Sequence, residues 1–469
     1  MRTPTLQYLY LQKPITMVIV ICIISVLPWI GMGDFSLKGE PYTAVAVSML
    51  ETGNWVLPQA AGGETIYQPP LGQWLIAAFS LPQGHVSKFT ACLPSALAFI
   101  LLIGFTLVFF GKRLRFQQAF IATLLLITSL GMHRTAMQPR ADMLLAAFVV
   151  IGLFQLYRWE DQRELKGLPV GIPLLLGCAV LTQGMTRGLL LPLFVFGIYL
   201  SMLRKYSRLI QFKALLYAGI SSLFLPLLWY IAAWKQGGDA FLNAMLACWG
   251  KEDGNLIASL FILPALHLLK LLAGFAPWVL FFFFSLFGCR LYKPAKSAKK
   301  ILTECREHIR TMEKEKLLSL VASVCITCFY FIMDPGSYVI TPAYPFIAIF
   351  LAQYALYITE YRTKVTRVFA AFMATITAAS LAIIGLSIAK VPSRIAQSQP
   401  LQTIAEHLSD LFAAHSGLTI FTFAFLLVTL ATTYYQMFKK INIKILYATI
   451  ALTFAAHLLI DGISQTFIY

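Results

Sequence analysis

The sequence predicts an all-α polytopic membrane protein that crosses the bilayer about thirteen times. Of its 469 residues, 59% are apolar and 12% are charged, a composition far from that of an ordinary soluble domain. Apolar runs close to the length of a membrane-spanning helix recur from one end of the chain to the other. The basic residues collect in alternate short loops, as they do on the cytoplasmic side of membrane proteins.

The apolar runs are the main evidence for the spans, because about 20 residues of α-helix cross ~30 Å of hydrocarbon. Clear runs occupy residues 15–33, 90–110, 214–233, 272–289, 317–333, 341–358, 368–389, 417–437 and 445–460. Weaker or split runs occupy residues 118–131, 143–157, 169–183 and 188–203. The last two flank a polar hinge at residues 183–188, where we expect the chain to turn.

The formal net charge of +17 could indicate a nucleic-acid partner, but the placement of the basic residues argues against it. They fall in the loops Lys112–Arg115, Arg204–Lys213, Lys293–Lys316, Arg362–Arg367 and Lys439–Lys444. The positive-inside rule explains this pattern, with membrane lipids rather than nucleic acid as the partner. It places the N-terminus in the cytoplasm and the intervening loops on the outer side.

Two of the outer loops stand out. The first, residues 34–88, is too long to be a simple connection between two spans, so we expect the chemistry of the protein there. A later one, residues 391–415, places Leu401, Ile404, Leu408 and Leu411 at helical spacing. We expect this segment to lie as an amphipathic helix on the outer leaflet.

Glu40 and Asp142 are the candidate catalytic carboxylates, because each lies at the rim of a span among basic and aromatic residues. The neighbours are Lys38 and Tyr42 for the first, and Arg134 and Arg140 for the second. Two carboxylates that face one cavity could divide the work of activating and positioning an acceptor. The plainer alternative is that each is simply solvated outside the membrane.

Arg134, Arg140 and Arg187 lie on the expected outer side, against the positive-inside trend. Guanidinium groups match phosphate oxygens in bidentate geometry, so these residues are candidates for binding a lipid phosphate. The alternative is that they snorkel to ordinary headgroups. Arg187 is the strongest candidate, because Gly184 and Gly188 bracket it in a break that is tolerated at membrane depth only inside protein or beside a cavity.

The first outer loop resembles that of a known enzyme family. The segments Gly39-Glu40-Pro41-Tyr42, Gly53-Asn54-Trp55 and Tyr67-Gln68-Pro69-Pro70-Leu71 are similar to those of the polyprenyl-phosphate-sugar-dependent membrane glycosyltransferases of the GT-C fold. This family includes the lipid A aminoarabinose transferases and the protein O-mannosyltransferases. Further similar segments follow in the same order, at Arg140-Ala141-Asp142-Met143, Leu181-Thr182-Gln183-Gly184, Pro277-Trp278 and Ser337-Tyr338.

The resemblance implies a GT-C catalytic module over residues 1–360, with 34–88 as its first periplasmic loop, followed by further transmembrane helices over residues 361–469. It implies a multi-pass protein of the bacterial inner membrane with a periplasmic active site. The implied reaction is inverting transfer of a sugar from a polyprenyl-phosphate carrier, such as undecaprenyl phosphate. The acceptor would be a lipid or an envelope glycan, as in lipid A modification of lipopolysaccharide.

The resemblance also implies residue roles. Glu40 matches the first catalytic carboxylate, with Asp34 as a second candidate because the alignment of the loop differs by one residue when counted from its two ends. Asp142 matches the second carboxylate, and Tyr338 a tyrosine near the donor phosphate. Tyr67 and Gln68 precede the paired prolines, where relatives usually carry lysine at the position of Gln68.

A lysine is also usual in relatives at the position of Gln183, and both lysines are thought to meet the carrier phosphate. Their replacement leaves open a non-catalytic protein that binds or translocates lipid-linked sugars. A conventional transporter is a weaker alternative, because charged residues at midspan are lacking. Glu40 and Asp142 could share a divalent cation, although no cluster of ligand residues in the sequence requires one.

Overall fold

The computed structural model describes residues 14–30, 40–58, 68–250, 263–286, 311–333, 340–388 and 416–464, and the single positions 37, 307 and 309. The helices of the first half are α1 (Pro14–Val26), α2 (Pro41–Thr52), α3 (Leu71–Ser80), α4 (Lys88–Gly111), α5 (Phe116–Ile127), α6 (Leu130–Ala136), α7 (Asp142–Arg163), α8 (Gly171–Met185) and α9 (Leu191–Leu203). Those of the second half are α10 (Arg208–Ser222), α11 (Phe224–Gly250), α12 (Leu263–Gly274), α13 (Trp278–Leu286), α14 (Lys314–Met333), α15 (Tyr344–Tyr361), α16 (Thr363–Ile388), α17 (Ser416–Lys439) and α18 (Asn442–Ser464).

The predicted class, an all-α multi-pass membrane protein, is confirmed. Over the described ranges, 8 helices are long and apolar enough to cross a bilayer, or up to 11 if each of 3 bent helix pairs is one span. Large apolar side chains such as Leu101, Leu227 and Val428 are exposed on the helix surfaces, as lipid-facing residues are. The predicted count of about thirteen spans is not established by this measure.

The segment from Gly171 to Leu203 is a helical hairpin, although it contains 33 residues of nearly continuous helix. Its helix is interrupted at Gln183 (φ −141°, ψ 26°) and Gly184 (φ 84°, ψ 178°). A Cβ on Gly188 would lie 2.4 Å from the carbonyl carbon of Ala179, so the two limbs touch immediately beyond the turn. The split runs 169–183 and 188–203 in the sequence correspond to these limbs.

Contacts with α7 show the course of this hairpin. Gln183 contacts Asp142 at the first residue of α7, whereas Lys205, just beyond the second limb, lies 3.6 Å from Glu160 near the last turn of α7. Eighteen residues of helix separate these two points by about 27 Å. The chain therefore runs from one end of the bundle to the other and returns.

The end of the bundle that holds Glu160 is called the basic end below. The Glu160 side chain is fully buried there, with Lys205 Nζ at 3.6 Å and Lys314 Nζ at 3.7 Å from its two oxygens. The Tyr206 hydroxyl also donates to Glu160 Oε1 (3.1 Å). These residues come from three loops or helix ends that the sequence predicts on the same side of the membrane, which is what the alternating charge pattern requires.

The C-terminal helices pack on the preceding ones. The Phe120 ring of α5 lies 6.4 Å from that of Tyr447 in α18, and the Trp278 ring of α13 lies 6.2 Å from that of Phe369 in α16. The division into modules 1–360 and 361–469 stays a prediction. The predicted amphipathic segment 391–415 lies outside the described residues.

Candidate functional site

Glu40 occupies the position immediately before α2. Pro41 begins the helix with its fixed φ, and Gly53 ends it in the left-handed conformation (φ 72°), with its N–H donating to Met49 O. The Thr43 hydroxyl donates to the Glu40 carbonyl (2.9 Å) and also contacts the Leu37 carbonyl, which fixes the backbone at the helix start. The Glu40 carboxylate thus sits at the positive end of the α2 dipole.

Arg140 is the ionic partner of Glu40. Its Nε lies 3.9 Å from Glu40 Oε2, and the two side chains are 42% and 19% exposed. The Arg140 carbonyl accepts a hydrogen bond from the Ser95 hydroxyl of α4 (2.8 Å). This bond ties the segment ahead of α7 to α4, so the guanidinium extends from a fixed point of the backbone.

Asp142 is the first residue of α7, and the residues before it pack against α2 and α3. A Cβ on Gly72 of α3 would lie 3.3 Å from Ala141 Cβ and 3.5 Å from the Tyr42 ring of α2. Glycine at position 72 therefore allows α2, α3 and the start of α7 to approach one another closely. This packing brings the two candidate carboxylates to the same end of the bundle.

Gln183 links Asp142 to Arg187. Its Nε2 donates to Asp142 Oδ1 (2.8 Å), and its Oε1 accepts from Arg187 Nη1 (2.8 Å). Gln183 stands at the turn of the helical hairpin, where the positive φ of Gly184 is one that favours glycine. The hairpin turn, which sequence analysis predicted as a break, is what brings both side chains to the end of α7.

Tyr42 lies within the field of these charged groups. Burial, and then the negative charge of Asp142, raise the pKa of its phenol to about 12, while Arg187 and Arg140 act in the opposite direction. The phenol therefore keeps its proton throughout the physiological range. It can donate a hydrogen bond but cannot serve as a general base.

The loop that follows α2 is fixed by tryptophan side chains. Trp74 Nε1 of α3 donates to the Trp55 carbonyl (2.6 Å), and Trp229 Nε1 of α11 donates to the Val56 carbonyl (3.1 Å). The Asn54 amide also bonds the backbone of this turn. Trp229 has no role that a local sequence signal could predict, because it is 173 residues away from Val56.

The structure brings together six of the predicted site residues and leaves others apart. The group comprises Glu40, Tyr42, Arg140, Asp142, Gln183 and Arg187. Arg134 is exposed in the last turn of α6 and Gln68 is exposed ahead of α3, and the described contacts join neither to the carboxylates. Asp34, Lys38, Tyr67 and Tyr338 lie outside the described residues.

The described part of the chain contains no group of three or more His, Cys, Asp or Glu side chains that could hold a metal ion. Within it, Glu40 and Asp142 have other partners, an arginine and a glutamine amide. A divalent cation between them would share the carboxylate oxygens with these two partners. The shared divalent cation stays a prediction from the sequence.

Comparisons with known proteins identify the fold. A family model described as dolichyl-phosphate-mannose-protein mannosyltransferase matches residues 67–230, a stretch that includes Asp142, Gln183 and Arg187. The crystal structure of ArnT from Cupriavidus metallidurans bound to undecaprenyl phosphate matches with a TM-score of 0.66 and 16% identity, covering 96% of this chain and 77% of ArnT. Its apo structure matches with a TM-score of 0.65 and 16% identity, covering 98% and 78%.

A comparison of the sequence with curated proteins gave no match. The likeness to ArnT extends over nearly the whole chain, and it confirms the predicted GT-C fold. At 16% identity it establishes the fold and not the reaction.

Proposed function

We propose that the protein transfers a sugar from a polyprenyl-phosphate carrier to a lipid or envelope-glycan acceptor on the periplasmic side of a bacterial inner membrane. The observation that carries this proposal is the convergence of two carboxylates and two arginines at one end of the bundle. The match of residues 67–230 to a mannosyltransferase family and the fold shared with ArnT support it.

The donor phosphate is assigned to Arg187 and Arg140. Cleavage of a sugar–phosphate bond turns a phosphodiester into a phosphomonoester, so negative charge grows on the phosphate as the bond breaks. Cations that are already in place stabilise this charge more in the transition state than in the ground state. Guanidinium groups suit this role because they stay protonated and present several N–H donors in one plane.

Glu40 is assigned to the acceptor hydroxyl. In an inverting displacement the acceptor oxygen attacks C1 of the sugar while the bond from C1 to the phosphate oxygen breaks and its electron pair leaves with the phosphate. The acceptor proton then passes to a carboxylate, for which Glu40 is the candidate. Asp142 acts indirectly, because it holds the Gln183 amide, which in turn holds Arg187. The protonated Tyr42 hydroxyl can donate a hydrogen bond to a substrate oxygen.

A second candidate function is binding or translocation of lipid-linked sugars without chemistry. The observation that favours it is that both carboxylates already have partners, Arg140 for Glu40 and Gln183 for Asp142. The two functions differ in one measurable property, the release of carrier phosphate.

Turnover by the purified protein tests the proposal. The protein is incubated with undecaprenyl-phosphate sugars and an envelope lipid extract, and released undecaprenyl phosphate is measured by mass spectrometry. We expect turnover by the wild type and a loss of about 100-fold or more in Glu40→Gln, the usual effect of removing a general base. Asp142→Asn should also lose turnover, because it removes the charged acceptor that holds Gln183.

The matched control is Glu164→Gln, which changes an exposed carboxylate at the basic end (59% exposed) and should leave turnover unchanged. Full turnover in both site variants would contradict the assignment of the carboxylates. Binding of the donor by a wild type that releases no undecaprenyl phosphate would favour the second function.

A further inference from the structure

The Gln183 side chain uses both ends of its amide. The nitrogen donates to Asp142 and the oxygen accepts from Arg187, each at 2.8 Å. A carboxylate offers only acceptors and a guanidinium offers only donors, so the amide can serve both partners in one orientation only. The reverse orientation would place oxygen against oxygen and N–H against N–H.

A charged residue at position 183 could serve only one of these partners. A cation there would pair with Asp142 but would stand beside the Arg187 guanidinium at hydrogen-bond distance, where like charges repel. An anion would pair with Arg187 but would stand beside the Asp142 carboxylate. A neutral amide joins the two charged groups and leaves the charge of each unchanged.

The backbone that carries Gln183 is set by the hairpin. Gln183 and Gly184 have non-helical dihedral angles, and the next residues form a π-helical turn, Thr186–Leu190. Gly188 lies directly against the backbone of Ala179, so the two limbs have no room to slide past each other. The positions of Gln183 and Arg187 relative to each other are therefore fixed by main-chain packing.

We propose that Gln183 is a positioning residue, whose amide orients the Arg187 guanidinium and the Asp142 carboxylate together for the phosphate of the lipid-linked donor. The inference rests on the proposed function, because it states how the phosphate-binding cation of that site is held. It goes beyond that function in predicting that residues 183 and 187 act as a coupled pair. Tyr42 lies in the field of both groups, since the Asp142 carboxylate raises the pKa of its phenol while the Arg187 guanidinium lowers it.

A double-mutant cycle tests the coupling. The variants are Gln183→Lys, Arg187→Gln and the double variant, which exchanges the cation and the amide between the two positions. We measure the Kd for undecaprenyl phosphate in nanodiscs, and KM and kcat for the donor. Each single change should weaken phosphate binding by about tenfold or more. The double variant should bind undecaprenyl phosphate at least about tenfold more tightly than two independent single effects would predict.

Gln183→Met isolates the amide, because methionine has similar length and cannot make either hydrogen bond. It should raise Kd and KM by about tenfold, with a smaller change in kcat, as expected for a lost orienting contact. The matched control is Gln211→Met at the basic end. Gln211 is also half-buried and also uses both amide ends, accepting from Ser201 and donating to the Tyr206 carbonyl at 3.0 Å each.

Additive effects in the cycle, or wild-type affinity in Gln183→Met, would overturn the inference. If a variant of the cycle does not fold, the affinity of Gln183→Met for undecaprenyl phosphate still decides the question. Failure of the inference is distinct from failure of the proposed function. A wild type without turnover contradicts the function, whereas coupled effects on undecaprenyl phosphate binding in that same protein still support the positioning role.

Discussion

Arg140 illustrates how far single residues of the site could be predicted. The sequence grouped it with Asp142, two positions away, but its guanidinium contacts Glu40, 100 residues earlier in the chain. The carboxylates themselves were identified from their places at the rims of spans. The partners of these carboxylates could not be identified from the sequence. The direction of a side chain at a helix start depends on packing between α2, α3 and α4, which no local pattern records.

Tyr42 provides a test at this scale. The Tyr42→Phe variant removes a hydroxyl that stays protonated, so turnover should fall by about tenfold, the effect of losing one hydrogen bond near charged groups. The shape of the pH–rate profile below pH 10 should not change, because the pKa of this phenol is raised to about 12 and the group does not titrate in that range. The measurement is kcat against pH for both proteins.

A change in the profile between pH 6 and 9 in Tyr42→Phe would contradict this account of the residue.

The raised pKa of Tyr42 also determines how its contribution to stability changes with pH. Above pH 10 the unfolded tyrosine loses its proton while the folded one keeps it, so the contribution of Tyr42 to stability declines between pH 10 and about 12.

At the scale of elements, the hairpin of α8 and α9 determines where the cation of the site lies. The sequence predicted a break at residues 183–188 from two glycines and two half-length apolar runs. It could not predict how closely the limbs pack beyond this turn, because a hydropathy pattern records no contact between segments. The close approach of Gly188 to Ala179 is such a tertiary contact.

The Gly188→Ala variant tests this packing. A methyl group at 2.4 Å from the Ala179 backbone must separate the limbs, so stability should fall by about 1–3 kcal/mol and phosphate binding should weaken with it. The control is Gly104→Ala in α4, where a Cβ meets nothing within 4 Å. Thermal unfolding in detergent gives both values, and equal stability of the two variants would show that the limbs are not in contact.

At the scale of the whole molecule, hydropathy and charge predicted the class of protein and the grouping of basic loops. Lys205 and Lys314, from loops far apart in sequence, meet at one buried carboxylate as that grouping requires. The predicted number of spans, about thirteen, stays a prediction, because three helix pairs in the described ranges bend by 62°, 43° and 105° at breaks of at most 4 residues. Hydropathy averaged along the sequence reports the length and composition of a helix but not the direction in which the helix runs.

The most direct test of the proposed site is a cryo-electron microscopy structure of the purified protein with undecaprenyl phosphate. The account predicts the phosphate within hydrogen-bond distance of Arg187, at the end of the bundle that holds Glu40 and Asp142. A phosphate bound at the basic end beside Lys205 and Lys314, with the Arg187 end unoccupied, would contradict it.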